Sequence, residues 1–277
     1  FFAREDARDY YKLAGWSAYL ALRGRPGMET RFEWRSEHYQ SLSQVVWYGR
    51  WGGNKSLPAN PPITEGHMNS LLYSQQREEA HTRSEMVRSL LGDSVLVEQM
   101  TGRSGLLEIE FGHMPGSDFG FNRYLLDERH FLPLSAGLSL DTRFRFEAST
   151  GDAPVQKLEY LGGPSTLPAL YNKSLVGNRM MLLNTEIRIS PIMALPHLAG
   201  PDLNIIIYND LAKIGTTTED GASIFKGFGF HGASSILYNV GVGIGWTRGL
   251  QLGMSWPTNA HDGARYMVRL PVSYTHL

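Results

Sequence analysis

Leu138-Ser139-Leu140-Asp141-Thr142-Arg143-Phe144-Arg145-Phe146-Glu147-Ala148 is the stretch that decides the fold. Leu138, Leu140, Phe144, Phe146 and Ala148 fall on one face, and Ser139, Asp141, Arg143, Arg145 and Glu147 on the other. A period of two marks a strand, because successive side chains of a pleated chain point to opposite sides. Working outward, the pattern recurs. Phe32 and Trp34 oppose Arg31, Glu33, Arg35 and Glu37. Leu107, Ile109 and Phe111 oppose Glu108 and Glu110, and Leu183, Thr185, Ile187 and Ile189 oppose Asn184, Glu186 and Arg188. Ile236, Tyr238, Val240, Val242, Ile244 and Trp246 oppose Asn239, Gly241, Gly243 and Gly245. Leu250, Leu252, Met254 and Trp256 oppose Gln251, Gly253 and Ser255.

These patterns predict strands over about 11–23, 28–40, 68–76, 104–112, 119–131, 136–149, 155–162, 178–190, 203–213, 234–247, 249–257 and 264–271. Many exceed the roughly 5–6 residues of an ordinary soluble strand. They match the roughly 9–11 residues that cross a bilayer with tilt. Short turns such as Gly24-Arg25-Pro26-Gly27, Met114-Pro115-Gly116-Ser117 and Thr247-Arg248-Gly249 join several of them, which describes an antiparallel meander. Arg77–Leu91 has helical spacing (Met86, Leu90; Val87, Leu91) and is expected to be a helix in a loop.

Composition narrows the classes. Lys+Arg is 26 and Asp+Glu is 27, a net charge of −1, so the basic excess of a nucleic-acid binder is missing. A hydrophobic fraction of 42% is too high for a disordered chain. No apolar run approaches the roughly 20 residues of a membrane helix. Phe1-Phe2-Ala3-Arg4-Glu5-Asp6 is too charged to open a signal peptide, and the chain is expected to start inside a longer protein. With no Cys there is no disulfide, thiolate nucleophile or Cys-based zinc site. A soluble sandwich also allows one polar face per sheet. The apolar face is harder to place there, being aromatic and aliphatic over many successive strands with little to pack on it. A barrel in lipid, apolar outside and polar inside, accommodates it. Trp16, Trp34, Tyr39, Tyr124, Trp246, Trp256 and Tyr266, near strand ends, suit interfacial girdles. The fold expected is therefore all-β, an antiparallel transmembrane β-barrel with about 12 strands present.

One stretch adds a family. Tyr160-Leu161-Gly162-Gly163-Pro164-Ser165-Thr166-Leu167-Pro168-Ala169-Leu170 precedes Gly177-Asn178-Arg179-Met180-Met181-Leu182-Leu183-Asn184-Thr185-Glu186-Ile187-Arg188. This resembles the BamA/TamA family of outer-membrane proteins, the bacterial surface antigens. Those carry a Gly-Gly pair, a Thr/Ser-Leu/Val-Arg-Gly-Tyr/Phe motif, then a strand reading Asn-x-Glu-x-Arg. Gly116–Tyr124, Gly241–Trp246, Leu250–Pro257 and Arg4–Tyr11 resemble further family segments in the same order. The resemblance singles out the motif loop, Gly162, Gly163, Thr166, Leu167, Pro168, Ala169 and Leu170, and the lumen-facing strand residues Asn184, Glu186 and Arg188.

The resemblance implies a cell outer membrane of a Gram-negative (diderm) bacterium, with outer-membrane lipid and unfolded outer-membrane protein clients as partners. POTRA domains would lie upstream. Its implied activity is non-enzymatic, the insertion or export of outer-membrane proteins, without cofactor or metal. In the family the motif loop enters the lumen and its Arg contacts acidic and aromatic groups on the wall. Here Pro168-Ala169-Leu170 stands at Arg-Gly-Tyr/Phe. That departure leaves a passive pore or adhesin barrel as the second reading.

Five predicted strands follow the loop, as in the sixteen-stranded family barrel, and seven precede it where the family has eleven. Residues 1–271 are then expected to be a barrel lacking about four strands. Val272-Ser273-Tyr274-Thr275-His276-Leu277 resembles the translated read-through of a sequencing adapter, so 272–277 is expected to be a non-native tail. Alternation puts 24–29, 77–103, 132–135, 164–177, 214–233 and 258–263 outside the cell and the long 41–67 connection in the periplasm.

Other chemistry is thin. Gly227-Phe228-Gly229-Phe230-His231-Gly232 fits G-x-G-x-x-G but precedes a strand, where a nucleotide site requires a helix. His231 lies near Ser234 with no orienting third group in sight. Glu78, Glu79, His81 and Glu85 could form an acidic metal cluster or simply a solvated face. The lumenal charges Glu33, Arg35, Glu108, Glu110, Asp141, Arg143, Arg145, Glu186 and Arg188 are expected mostly to pair across neighbouring strands.

Overall fold

A computed structural model describes residues 11–42, 61–197, 199–218, 223–228, 236–247, 249–258 and 263–269. The strands are β1 (Tyr11–Arg25), β2 (Met28–Ser41), β3 (Gly66–Glu78), β4 (His81–Arg88), β5 (Ser94–Phe111), β6 (Gly120–Ser135) and β7 (Leu138–Asp152). They continue as β8 (Glu159–Leu161), β9 (Leu175–Gly177), β10 (Arg179–Ile189), β11 (Leu203–Gly215), β12 (Leu237–Trp246), β13 (Gln251–Pro257) and β14 (Arg265–Arg269). Twelve of them form one sheet. Eleven lie on a single antiparallel path, β1-β2-β3-β5-β6-β7-β10-β11-β12-β13-β14, and β4 pairs with β5 off that path. The Arg4–Tyr10 motif residues, His231, Ser234 and the 272–277 tail lie outside the described residues.

The faces run inside out relative to a water-soluble sheet. Glu147 is 0% exposed and Asp210 1%, whereas Trp16 is 58% exposed and Leu20 60%. Register carries this alternation from strand to strand. Asp141 stands opposite Glu186, Arg143 opposite Asn184, and Asp210 opposite both Asn184 and Asn239. Phe32, Trp34, Phe144, Ile187, Ile205, Ile207, Val242 and Ile244 all point the other way and are exposed. Burying charges and exposing aromatics costs free energy in water, and both preferences reverse when the outside is lipid. Tyr39 departs from the girdle expectation. It is buried on the charged face, where its hydroxyl donates to Glu37 Oε2 at 2.5 Å.

Two sequence expectations are corrected. Residues 155–162 do not form a sheet strand. Val155–Lys157 is a single 3-10 turn, and Glu159–Leu161 makes only a three-residue ladder with Leu175–Gly177. So six path strands, not seven, precede the motif loop. The alternation of ends then shifts after β7. Connections 42–65, 112–119, 153–178, 216–236 and 258–264 share one end, and 26–27, 136–137, 190–202, 247–250 and the β3–β5 connection share the other. Hydrogen bonds between Thr64 and Gln156 at 3.0 and 3.2 Å tie two of the long connections together. The described flanks of the 41–67 connection, residues 41–42 and 61–67, therefore lie at the same end as the other long connections.

The second correction concerns Arg77–Leu91, which is no helix. His81–Arg88 pairs residue by residue with Ser94–Thr101. The i,i+4 apolar pairs that suggested a helix are also compatible with a short strand followed by a turn. Among the described residues no group of three or more acidic or His side chains could hold a metal ion.

Candidate functional site

The site is the segment between β7 and β10 and the inner wall it touches. The segment enters with Val155–Lys157, runs through the β8/β9 ladder, and turns at the motif loop. Gly162 and Gly163 have φ of +118° and +90°, conformations that favour glycine. They let the chain double back so that Gly162 N donates to Thr166 Oγ1 at 2.9 Å and Gly163 N donates to Leu167 O at 3.1 Å. Leu170 N closes the turn onto Leu167 O at 3.0 Å.

Three kinds of contact hold this segment. The first is apolar. Leu161 and Leu167 are buried against Met180, Leu182 and Ala212 of the wall, with Leu170, Leu175, Ile214 and Leu237 packed around them. Pro168 and Ala169 are buried as well. The second is backbone capture: Arg143 Nη1 donates to Ser165 O at 2.9 Å and Asn184 Nδ2 to Thr166 O at 3.0 Å. The third is charge. Arg123 Nε donates to Glu159 Oε1 at 3.0 Å while its Nη2 donates to Glu147 Oε2 at 2.8 Å. Arg145 pairs with Glu147 and comes within 3.9 Å of Glu159. Lys157 Nζ donates to Glu110 Oε2 at 2.8 Å, and Ser70 Oγ donates to Glu110 Oε1 at 2.9 Å. Burial, reinforced by the neighbouring Glu147 carboxyl, pushes Glu159 up to about 8.

The segment thus reaches from β3 and β5 across to β14, where the Arg265 guanidinium sits 3.1 Å from the centroid of the Tyr171 ring. A flat sheet would not let one short segment touch strands so far apart on the path, so the sheet is strongly curved. The polar face is the concave one.

Asn184 bridges loop and wall, since its Nδ2 also donates to Asp210 Oδ1 at 2.7 Å; Asn239 donates to Asp210 Oδ2 at 2.9 Å and to Ser255 Oγ at 3.0 Å. Glu186 and Arg188 face inward too but serve the wall. Arg188 pairs with Glu186 at 2.5 Å and with Asp141 at 2.6 Å. The expected pairing across neighbouring strands holds for Arg188 with Asp141 and for Arg143 with Asp127, whereas Glu186 with Arg188 and Glu33 with Arg31 and Arg35 pair within one strand. Gly241 leaves room for one wall residue: a Cβ there would lie 2.2 Å from the Tyr208 ring.

Sequence reading did not identify Arg123, Glu159 and Lys157 as segment anchors, nor Met180, Leu182 and Ala212 as the docking pad. One signal was present. Met180-Met181-Leu182-Leu183 breaks the alternation, placing apolar side chains on the same face as Asn184.

The fold has a counterpart among solved structures. The chain is similar to the crystal structure of BamA from Haemophilus ducreyi lacking POTRA domains 1–3. The TM-score is 0.61 and the identity 12%, over 94% of this chain and 54% of that one. The chain thus spans about half the length of that crystallised chain. No family model matches the sequence, and no curated protein does. At this identity the likeness concerns the fold: a large antiparallel sheet of the BamA-barrel type.

Proposed function

We propose that this chain is the lipid-embedded part of an outer-membrane β-barrel that assembles or exports other outer-membrane proteins in a diderm bacterium. The observation that carries the location is the inside-out sheet, with Trp16, Leu20, Phe32, Trp34 and Ile205 exposed and Glu147 and Asp210 buried. The long-connection end would be extracellular and the short-turn end periplasmic. With eleven strands on the path among the described residues, a sixteen-stranded barrel would take five more. POTRA domains would lie upstream.

The paired wall and the segment lodged on it support an assembly role over a permanently open pore. The segment keeps its lumenal position without the family's Arg. Arg143 and Asn184 supply the donors, and Leu167 with the Met180–Leu182 pad supplies the apolar contact. Protein clients and lipid are the partners this reading names, and no residue is assigned to catalysis. The passive pore or adhesin barrel remains the second reading, favoured by Pro168-Ala169-Leu170.

Depletion of the protein in its native host tests the proposal. Loss of heat-modifiable, folded outer-membrane barrels, with their unfolded precursors accumulating, is the expected result. Normal assembly together with a drop in solute uptake would instead establish the pore.

A further inference from the structure

The β3–β5 connection is not a simple turn. Glu79 N donates to Arg103 O at 2.9 Å, which pinches β3 and β5 together, and beyond this neck β4 and residues 94–101 of β5 project as a hairpin. Gly102 at the neck has φ +100°, and a Cβ there would lie 2.5 Å from Glu79 O. The hairpin leaves the sheet and leans over the short-turn end. Gln99 Nε2 donates to Ser135 O at 3.1 Å, beside the β6–β7 turn. Leu90 N donates to Met193 O at 2.8 Å and Glu98 N to Pro201 O at 3.0 Å, both in the β10–β11 connection. Thr247 Oγ1, in the β12–β13 turn, donates to Glu98 O at 3.2 Å.

The path from β5 to that last turn passes β6, β7, β10, β11 and β12. At about 4.8 Å per strand this is roughly 25 Å along the sheet. A single residue of the hairpin bonds to both distant turns, so the hairpin crosses the mouth instead of following the rim. Its inner side is dry: Val95 and Val97 are buried with Ile192, and Val87, Met193 and Ala199 pack against them. Nothing in the segment on the long-connection side does this work, because it docks at the opposite end.

We propose that the β4–β5 hairpin is a lid that closes the short-turn end of the lumen. Transit between that side and the interior then requires Glu98 to leave Pro201 and Thr247. The lid rests on the barrel reading above, and liposome flotation reads that separately.

The chain has no Cys, so one introduced thiol reports alone. Ser139→Cys places it on the inner face of β7, next to the short-turn end, where Ser139 is buried. Thr218→Cys serves as the control at the opposite end, where Thr218 is exposed. Each is combined with three backgrounds: the native hairpin, residues 80–101 replaced by Asn-Gly, and Glu98→Pro with Thr247→Val. The last background keeps the hairpin and removes two of its four anchoring donors, the Glu98 N–H, which points away from β4, and the Thr247 hydroxyl, which also faces Asp202 O at 3.1 Å. Labelling by a membrane-impermeant maleimide in proteoliposomes should be many times faster at Ser139→Cys in both altered backgrounds and unchanged at Thr218→Cys. Equal rates at Ser139→Cys in all three, or an equal rise at both thiols, would overturn the lid. Failure to float with liposomes would sink the membrane reading instead, and labelling in detergent would still decide the lid.

Discussion

The two excursions from the sheet are held by opposite means. Segment 153–178 is fixed by buried charge, with Arg123, Glu147, Glu159, Lys157 and Glu110 in contact, and by a small apolar pad. The β4–β5 hairpin is fixed mainly by hydrogen bonds to neighbouring turns, two from backbone and two from side-chain donors, and by a valine cluster without charged members, with one exposed pair at its tip, Asp93 and His197 at 3.6 Å. Charge anchoring responds to pH and to loss of a single partner. Backbone and apolar anchoring responds to neither in the same way. If the contrast is real, each anchor can be broken without the other. Tryptic cleavage after Lys173 reports the segment, and cleavage after the exposed Arg83 and Arg88 reports the hairpin.

The largest effect is expected from Arg123→Ala. It leaves Glu147 and Glu159 short of their main cation in a buried site, which costs about 3–5 kcal/mol. Cleavage at Lys173 should rise sharply while the hairpin sites keep their rate; equal acceleration at both would abolish the contrast. Val97→Ala is the reciprocal change. It removes buried methyl groups from the hairpin cluster at roughly 2 kcal/mol, and should free the hairpin and not the segment.

Thr166→Val sharpens the account of the motif loop. It strands the Gly162 N–H, buried and without its acceptor, at about 1–3 kcal/mol, and should loosen only the segment. The smallest effect is the pH response. Glu159 has its folded value raised, so its contribution to docking is full at low pH and is lost as pH rises through about 8. Cleavage at Lys173, taken relative to the hairpin sites, should therefore increase between about pH 5 and 8 and level off above that. Glu159→Gln should flatten that rise, and an unchanged slope would remove the carboxyl from the mechanism.

The legibility of these regions in the sequence follows the range of the interactions that build them. Strands β2, β5, β7, β10 and β11 were readable because a side chain's face is set by its parity along the chain. The segment misled because Glu159-Tyr160-Leu161 alternates like a wall strand, yet its only ladder partner lies past the motif loop at Leu175–Gly177. The hairpin misled because Met86, Leu90, Val87 and Leu91 satisfy a helical spacing as well as a strand and turn. Only the partner strand, Ser94–Thr101, decides between them. In the motif loop the glycines were legible from sequence. The docking of Leu167 on Met180, Leu182 and Ala212 was not, because the pad is assembled from two wall strands.

By itself the sequence determined the all-β class, the inward charges, the outward apolar faces and the place of the Gly162-Gly163 turn, all local matters of period and backbone conformation. The tertiary structure alone decided which end each connection occupies, that 155–162 leaves the wall, and that the β4–β5 hairpin crosses the mouth. Those outcomes depend on pairings between residues far apart in the chain. A period-two pattern fixes which way a side chain points and leaves open which strand it meets.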